Sequence, residues 1–106
     1  MSSQNLRKKR LSDLTYQDLE DVLMEARDRA AKGKGRVRHA SDGTTFGDQS
    51  IFRTQRAVGR GFALGQIMKK AEEANRFMNE QYCEELMDIC VYAVAAILFE
   101  RYGDDD

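Results

Sequence analysis

The stretch that decides the fold is the last long segment of the chain, residues 79–103, which reads Asn-Glu-Gln-Tyr-Cys-Glu-Glu-Leu-Met-Asp-Ile-Cys-Val-Tyr-Ala-Val-Ala-Ala-Ile-Leu-Phe-Glu-Arg-Tyr-Gly. Its apolar residues recur at spacings of three and four, the period of one helix face. This spacing predicts a buried side formed by Tyr82, Leu86, Ile89, Cys90, Ala93, Ala96 and Ile97. Asn79 can cap the start and Gly103 can end the helix. Because the second half is apolar nearly all round, we expect it at the centre of the fold or against another subunit.

Two further helical patterns precede this segment. From Phe62 onward, apolar residues at helical spacing predict a helix that runs up to a tight link at residues 78–80. An earlier helix can begin at Asp48 or Ser50, and one face of it would carry Ile51, Phe52, Gln55, Val58 and Phe62. Each glycine costs a helix roughly 1 kcal/mol relative to alanine. Glycines at positions 59, 61 and 65 therefore predict a break or kink near 59–61, or very close packing against a neighbour.

A fourth helix is predicted near the N-terminus. Thr15 followed by Asp18 is a variant of the capping box, and the apolar residues after it keep helical spacing until about Lys32–Gly33. Residues 33–50 hold four glycines and show no periodicity, so we expect a long basic loop. That loop is either a flexible surface segment or a phosphate-holding one, and its glycine spacing matches no nucleotide-binding fingerprint.

These elements together predict an all-α protein, an antiparallel helical bundle with a long glycine-rich basic loop. We expect a flexible basic tail at residues 1–11, a single helical domain at 12–103 and an acidic tail at 104–106. A chain of 106 residues buries only roughly 65% of its unfolded surface when it folds alone. We therefore also expect a homo-oligomer.

Composition indicates the compartment. The longest apolar run, Ile89–Phe99, is well short of the ~20 residues that cross a bilayer, and no apolar stretch follows the basic N-terminus as in a signal peptide. We expect a cytoplasmic protein without a membrane partner. Cys83 and Cys90 lie seven residues apart in one predicted helix, roughly 10 Å along its axis, so both are expected to be free thiols.

Charge is divided unevenly along the chain. Residues 27–70 carry 11 basic and 3 acidic groups, a sum of +8, whereas residues 71–106 carry 2 basic and 10 acidic groups, a sum of −8. Either the basic middle folds against the acidic end, or the two charge surfaces serve different partners. Composition alone leaves both possibilities open.

Carboxylates near the start of the last helix are the strongest candidates for chemistry. Glu84, Glu85 and Asp88 occupy neighbouring positions of that helix, and Glu73 lies on the preceding one. Facing carboxylates on two antiparallel helices suit Mg²⁺, which takes oxygen ligands and can ready a water for attack on a phosphate. Asp88 interrupts an apolar stretch, so its desolvation must be offset. The alternative is that Asp88 pairs with Lys69, Lys70 or Arg76, while Glu84 and Glu85 are merely solvated.

A family resemblance enters at these residues. Glu72-Glu73, followed by Glu85-Leu86-Met87-Asp88-Ile89-Cys90-Val91-Tyr92-Ala93, resembles the all-α nucleoside triphosphate pyrophosphohydrolases of the MazG type and the MazG-like proteins of phages. The resemblance covers about the last 45 residues. It implies Mg²⁺ held by Glu73, Glu85 and Asp88 as metal-binding and catalytic residues, and cleavage of a nucleoside triphosphate to monophosphate and pyrophosphate. It also implies phosphate contacts from Lys69, Lys70 or Arg76 and a dimer or tetramer. Arg76 stands where that family has a second glutamate.

Two alternatives belong to other functional classes. The basic middle of the chain could engage nucleic acid, a nucleotide or an acidic protein partner, which would make binding strongly salt-dependent. Its candidate residues are Lys34, Arg36, Arg38, Arg53, Arg56 and Arg60. The other alternative is a small phage-type interaction or inhibitory protein whose apolar last helix forms a dimer core.

Overall fold

A computed structural model describes residues 9–32 and 45–103. Residues 1–8 of the predicted tail, residues 33–44 of the predicted loop and the acidic tail 104–106 lie outside the described residues. Four α-helices follow in order: α1 at Tyr16–Lys32, α2 at Ser50–Val58, α3 at Gly61–Ala74 and α4 at Asn79–Tyr102. Short 3₁₀ helices occur at Leu11–Asp13 and Phe46–Asp48. No strand is present in the two described ranges, which confirms the predicted all-α class.

Helix α1 begins with the predicted capping arrangement. The Thr15 amide donates to the Asp18 carboxylate at 2.7 Å, and the Gln17 amide donates to the Thr15 hydroxyl at 3.2 Å. These bonds satisfy amide groups that have no partner inside the first turn. Lys9 Nζ lies 2.8 Å from the Asp18 carboxylate, and this hydrogen bond, with that from the Thr15 amide, lowers the pKa of Asp18 from 3.8 to about 2.

The predicted break between the second and third helices is confirmed. Helix α2 ends at Val58, Gly59 takes a φ of 92°, and α3 begins at Gly61. A φ of this size is open to glycine and strained for residues with a Cβ, so Gly59 is the residue that permits the corner. The close packing considered as an alternative is absent at Gly61 and Gly65, because no described atom lies within 4 Å of where a Cβ would project.

The start of α4 differs from the prediction. The link from α3 spans residues 75–78, earlier than expected, because α3 ends at Ala74. Asn79 is the first helical residue, with a φ of 55°, and Met78 holds the capping position without a side-chain hydrogen bond. The predicted Asn79 cap is therefore wrong. Asparagine tolerates positive φ better than most residues, and at this position it serves the turn rather than the cap.

Helices α3 and α4 run in opposite directions. The Phe62 ring, near the start of α3, lies 6.2 Å from the Tyr92 ring, whereas Lys70, two turns later on α3, contacts Glu85, earlier on α4. Helix α2 reaches α4 through Gln55, whose Nε2 donates to the Ala95 carbonyl at 3.4 Å. The Phe46 and Phe52 rings meet edge to face at 5.0 Å and join the second 3₁₀ helix to α2.

The described chain buries few large side chains. Its buried apolar residues are four alanines and one phenylalanine, namely Ala26, Ala63, Ala74, Ala95 and Phe52. Gln55 is also fully buried, and its Oε1 has no hydrogen-bond partner among the described residues. In the part of the chain that the structure describes, no helix is long and apolar enough to cross a membrane.

The predicted buried side of α4 is only partly covered in the single chain. Ile89, Cys90, Ala93 and Ala96 are half-buried, whereas Tyr82, Leu86 and Ile97 keep 44%, 39% and 49% of their surface exposed. For these three residues the prediction is wrong in the isolated chain, because the fully buried position of α4 is Ala95, on the opposite side of the helix. Val58, which the pattern placed on the apolar face of α2, is 65% exposed.

Candidate functional site

A cluster of charged side chains lies where α1 and α3 meet the first half of α4. On α4, Asp88 follows Glu84 by four residues and Glu85 by three, so its side chain projects between the other two carboxylates. Arg29 of α1 and Lys70 of α3 reach these acids from opposite flanks. We call these five residues, Arg29, Lys70, Glu84, Glu85 and Asp88, the charged cluster.

Arg29 binds Asp88 with two hydrogen bonds. Its Nε donates to Oδ1 at 3.0 Å, and its Nη2 donates to Oδ2 at 3.4 Å. Such a forked contact matches the planar guanidinium to the planar carboxylate. Donation of this hydrogen bond to the Asp88 carboxylate raises the pKa of Arg29 above its ordinary value. Glu84 lies more loosely beside the same guanidinium, at 3.8 Å.

Lys70 contacts two carboxylates at once. Its Nζ lies 3.4 Å from Glu85 Oε1 and 3.6 Å from Asp88 Oδ2. All three side chains are only 15–17% exposed, in contrast to Glu84 at 42%. Burial weakens solvent screening, so these contacts are stronger than ion pairs on an open surface. Glu85 and Asp88 thus converge on one cation at a partly dehydrated position.

The structure brings together part of the predicted metal and phosphate site. Glu85, Asp88 and Lys70 meet in the charged cluster, and the alternative pairing of Asp88 with Lys70 is confirmed. Glu73 is half-buried on α3, and the structure gives it no hydrogen bond or ion pair with the described residues of the cluster. Lys69 and Arg76 are exposed, and neither pairs with these acids within the described chain.

Arg29 is the functional residue that the sequence reading missed. It contacts a residue 59 positions away, and no local spacing reveals such a pairing. A signal was nevertheless present, because Arg29 is a charge between Ala26 and Ala30 on the apolar side of α1. Asp88 was singled out for the same reason on α4. Two isolated opposite charges on apolar helix faces are candidates for pairing with each other.

Three of the candidate basic residues lie on α2 or at its end. Arg53 donates to the Asp48 carbonyl at 3.0 Å, Arg60 pairs with Glu100 at 3.4 Å in an exposed contact, and Arg56 is exposed. Lys34, Arg36 and Arg38 fall outside the described residues. Engagement of nucleic acid or an acidic protein through this set stays a prediction.

An apolar groove adjoins the charged cluster. It has a volume of about 630 Å³ and lies between α1 and the middle of α4, with Phe46 also among its lining residues. Its lining includes Ala30, next to Arg29 along the chain, and Cys90, two residues after Asp88. Volumes of this size accommodate a small organic ligand.

The described residues do not form a metal site from protein ligands alone, and they do not form a disulfide. Within 9–32 and 45–103, no group of three or more His, Cys, Asp and Glu side chains is arranged to hold a metal by itself. Cys83 is exposed and Cys90 half-buried, and both are free thiols, as their spacing predicted.

No protein-family model, curated protein or solved structure matches the chain. Function is therefore inferred from the charged cluster and from the surfaces that the helices expose.

Proposed function

We propose that the protein binds a nucleoside triphosphate together with Mg²⁺ at the charged cluster. The observation that carries this proposal is the position of the Lys70 ammonium, 3.4 Å from the Glu85 carboxylate and 3.6 Å from that of Asp88. Two carboxylates that already converge on one cation offer the oxygen ligands that a hard divalent ion prefers.

The donor set fits Mg²⁺ better than an ion that needs a full protein cage. Proteins usually hold Mg²⁺ through one or two carboxylates, and substrate phosphate and water complete its shell. Glu85 and Asp88 supply two carboxylates, and Glu73, three residues after Lys70 on α3, is the further acid that the family resemblance implies. When bound, Mg²⁺ would neutralise phosphate charge and lower the pKa of a coordinated water.

The basic residues of the cluster supply phosphate contacts. Arg29 offers a planar fork of N–H donors that suits phosphate oxygens, and Lys70 offers a mobile point charge. Both come from helices that flank α4, so they can approach a phosphate chain from two sides. The apolar groove beyond Ala30 and Cys90 has room for the base and sugar.

Pyrophosphohydrolysis is the reaction that we propose for this complex. Its support is the resemblance of residues 72–93 to the MazG-type enzymes and the presence of Glu85 and Asp88 in one half-buried cluster. In this scheme one carboxylate orients the attacking water, while Lys70 and Arg29 hold the phosphate chain. The products are a nucleoside monophosphate and pyrophosphate.

Calorimetric titration tests the binding step. Each of the four common ribonucleoside triphosphates, as an α,β-methylene analogue, is titrated into the protein with Mg²⁺ and with EDTA. We expect Mg²⁺-dependent binding by the unmodified protein and at least a tenfold loss of affinity in Glu85→Gln. The matched control is Glu80→Gln, an exposed acid on the same helix, which should bind as the unmodified protein does.

A second readout separates ligand binding from a purely structural role of the cluster. If these residues only hold the helices together, Glu85→Gln will lower the unfolding temperature, and no analogue will raise it in any variant. A ligand that binds only the folded state raises that temperature. Lack of binding by the unmodified protein to every analogue in Mg²⁺ would contradict the proposal, as would binding that EDTA leaves unchanged.

A further inference from the structure

The first half of α1 has few tertiary contacts. Residues 16–25 are exposed throughout, apart from the half-buried Asp18. The second half differs, because Ala26 is buried and residues 28–30 are half-buried where α1 meets α4. Short helices are only marginally stable in water, and most of their stability in proteins comes from the packing of one amphipathic face. Within residues 9–32 and 45–103, the first half of α1 has little to pack against.

An apolar stripe runs along this half of the helix. Leu19, Val22 and Leu23 follow one another at helical spacing, and Ala26, seven residues after Leu19, continues the same face. We call Leu19, Val22 and Leu23 the α1 stripe. These three side chains keep 54%, 48% and 48% of their surface exposed. Leu23 also lines the apolar groove between α1 and α4, so the α1 stripe and the groove form one continuous apolar surface.

Acidic residues border the α1 stripe on both sides. Residues 16–25 carry four acidic groups and no basic group. At about 100° of rotation per residue, Glu20 lies about 60° around the helix from Leu23, and Glu25 lies about 60° from Val22 on the other border. Asp18 is already paired with Lys9 at 2.8 Å, whereas Glu20 and Glu25 are exposed. The surface is thus apolar at its centre and negative along its edges.

We propose that the α1 stripe docks a basic amphipathic helix of a partner protein. Apolar residues of the partner helix, at spacings of three and four, cover Leu19, Val22 and Leu23, as in other helix pairs. Lysine or arginine residues along both borders of the partner helix face Glu20 and Glu25. Flanking charges of this kind select the partner when two helices pair.

Charge distinguishes this occupant from others. A second copy of the α1 stripe would set Glu20 and Glu25 against acidic residues of the same kind. Nucleic acid and an anionic membrane also carry negative charge, so the four acids of residues 16–25 repel them. A helix with basic borders is attracted by the same four acids, and it is therefore the occupant that this surface favours.

Fluorescence anisotropy with a synthetic peptide tests the docking, without nucleotide or Mg²⁺. The labelled peptide is a helix of about 18 residues with leucine at the first and fourth positions of each heptad and lysine at the fifth and seventh. We expect it to bind the full chain with a Kd of tens of micromolar, and at least about tenfold more tightly than the same peptide with glutamate in place of lysine. Equal affinity for the two peptides, or binding of neither, would overturn the proposal.

Substitution within the α1 stripe tests where the peptide binds. Leu19→Gln should weaken binding at least about fivefold, because an apolar anchor near the centre of the surface is lost. Leu64→Gln is the matched control, because Leu64 on α3 is 59% exposed and its replacement should leave binding unchanged. Circular dichroism verifies that both variants stay helical. Equal affinities of the two variants would contradict the assigned surface.

Amide hydrogen exchange locates the contact in the unmodified chain. Peptide docking should slow the exchange of amides in residues 16–25, and protection confined to other helices would overturn the proposal. Sedimentation velocity addresses another occupant, because a dimer of the unmodified chain that Leu19→Gln abolishes would assign the α1 stripe to a second copy instead. None of these measurements includes nucleotide, so each outcome is independent of the proposed nucleotide binding.

Discussion

Asp88 and Arg29 are single charges on apolar helix faces, and they form an ion pair with each other. Asp88 is 17% exposed and Arg29 29% exposed, so both have lost much of their hydration. Two hydrogen bonds at 3.0 and 3.4 Å offset that loss. Removing one partner of such a pair leaves the other desolvated and costs more than the pair itself contributes. The pair therefore fixes how α1 sits on α4.

Replacement of Arg29 by methionine tests this role. We expect Arg29→Met to lower the free energy of unfolding by about 1–2 kcal/mol, since a hydrogen bond to a charged group is lost at a partly exposed site. Arg27→Met is the control on the same helix. Arg27 is 69% exposed, and within residues 9–32 and 45–103 its one ion pair is with its neighbour Asp28, so its removal should change stability by at most about 0.5 kcal/mol. Urea denaturation measures both, and equal losses would contradict the assigned role.

At the scale of the element, the glycines of the α2–α3 corner have opposite requirements. Gly65 lies inside α3 with open space where a Cβ would project, so Gly65→Ala should raise the free energy of unfolding by about 0.5–1 kcal/mol. Gly59 has a φ of 92°, which strains any residue with a Cβ. Gly59→Ala should therefore lower the free energy of unfolding by about 1–3 kcal/mol. Chemical denaturation of the two variants side by side checks the signs. A stabilising Gly59→Ala would show that the corner does not need glycine.

The cap of α1 makes a pH-dependent contribution. Because the Lys9 ammonium and the Thr15 amide lower the pKa of Asp18 to about 2, folding is favoured while this carboxyl is charged. The contribution is fully present above the unfolded value of 3.8 and is lost as the pH falls towards about 2. Asp18→Asn should therefore be less stable than the unmodified protein at pH 7, and the difference should shrink between about pH 4 and pH 2. Denaturant titrations at a series of pH values test this, and a difference independent of pH would contradict it.

Local elements were more predictable than their packing. The cap at Thr15 and Asp18 and the break at Gly59 both depend on neighbouring residues, and the structure confirms them. Burial on α4 was misassigned for Tyr82, Leu86 and Ile97, because periodicity identifies an apolar face without identifying what covers it. At the candidate site, the sequence pattern predicted Asp88 and Lys70 as members. Arg29 could not be predicted in this way, because its contact with Asp88 depends on the tertiary fold.

For the whole molecule, association and stability should be linked. If the chains form the homo-oligomer expected from the short chain length, unfolding also separates them, and the unfolding temperature must rise with protein concentration. For a dimer of this size we expect about 3 °C for each tenfold increase in concentration. Differential scanning calorimetry over two decades of concentration measures this, and a flat response of the unmodified chain would contradict the link.

The edge-to-face contact of Phe46 and Phe52 has a spectroscopic consequence. At a centroid separation of 5.0 Å and an interplanar angle of 88°, the protons on the edge of one ring lie over the face of the other. Circulating π electrons shield such protons, so their magnetic resonance signals move upfield, away from those of freely rotating phenylalanines. With no tryptophan in the chain, these signals make a natural label for the docking of the second 3₁₀ helix on α2.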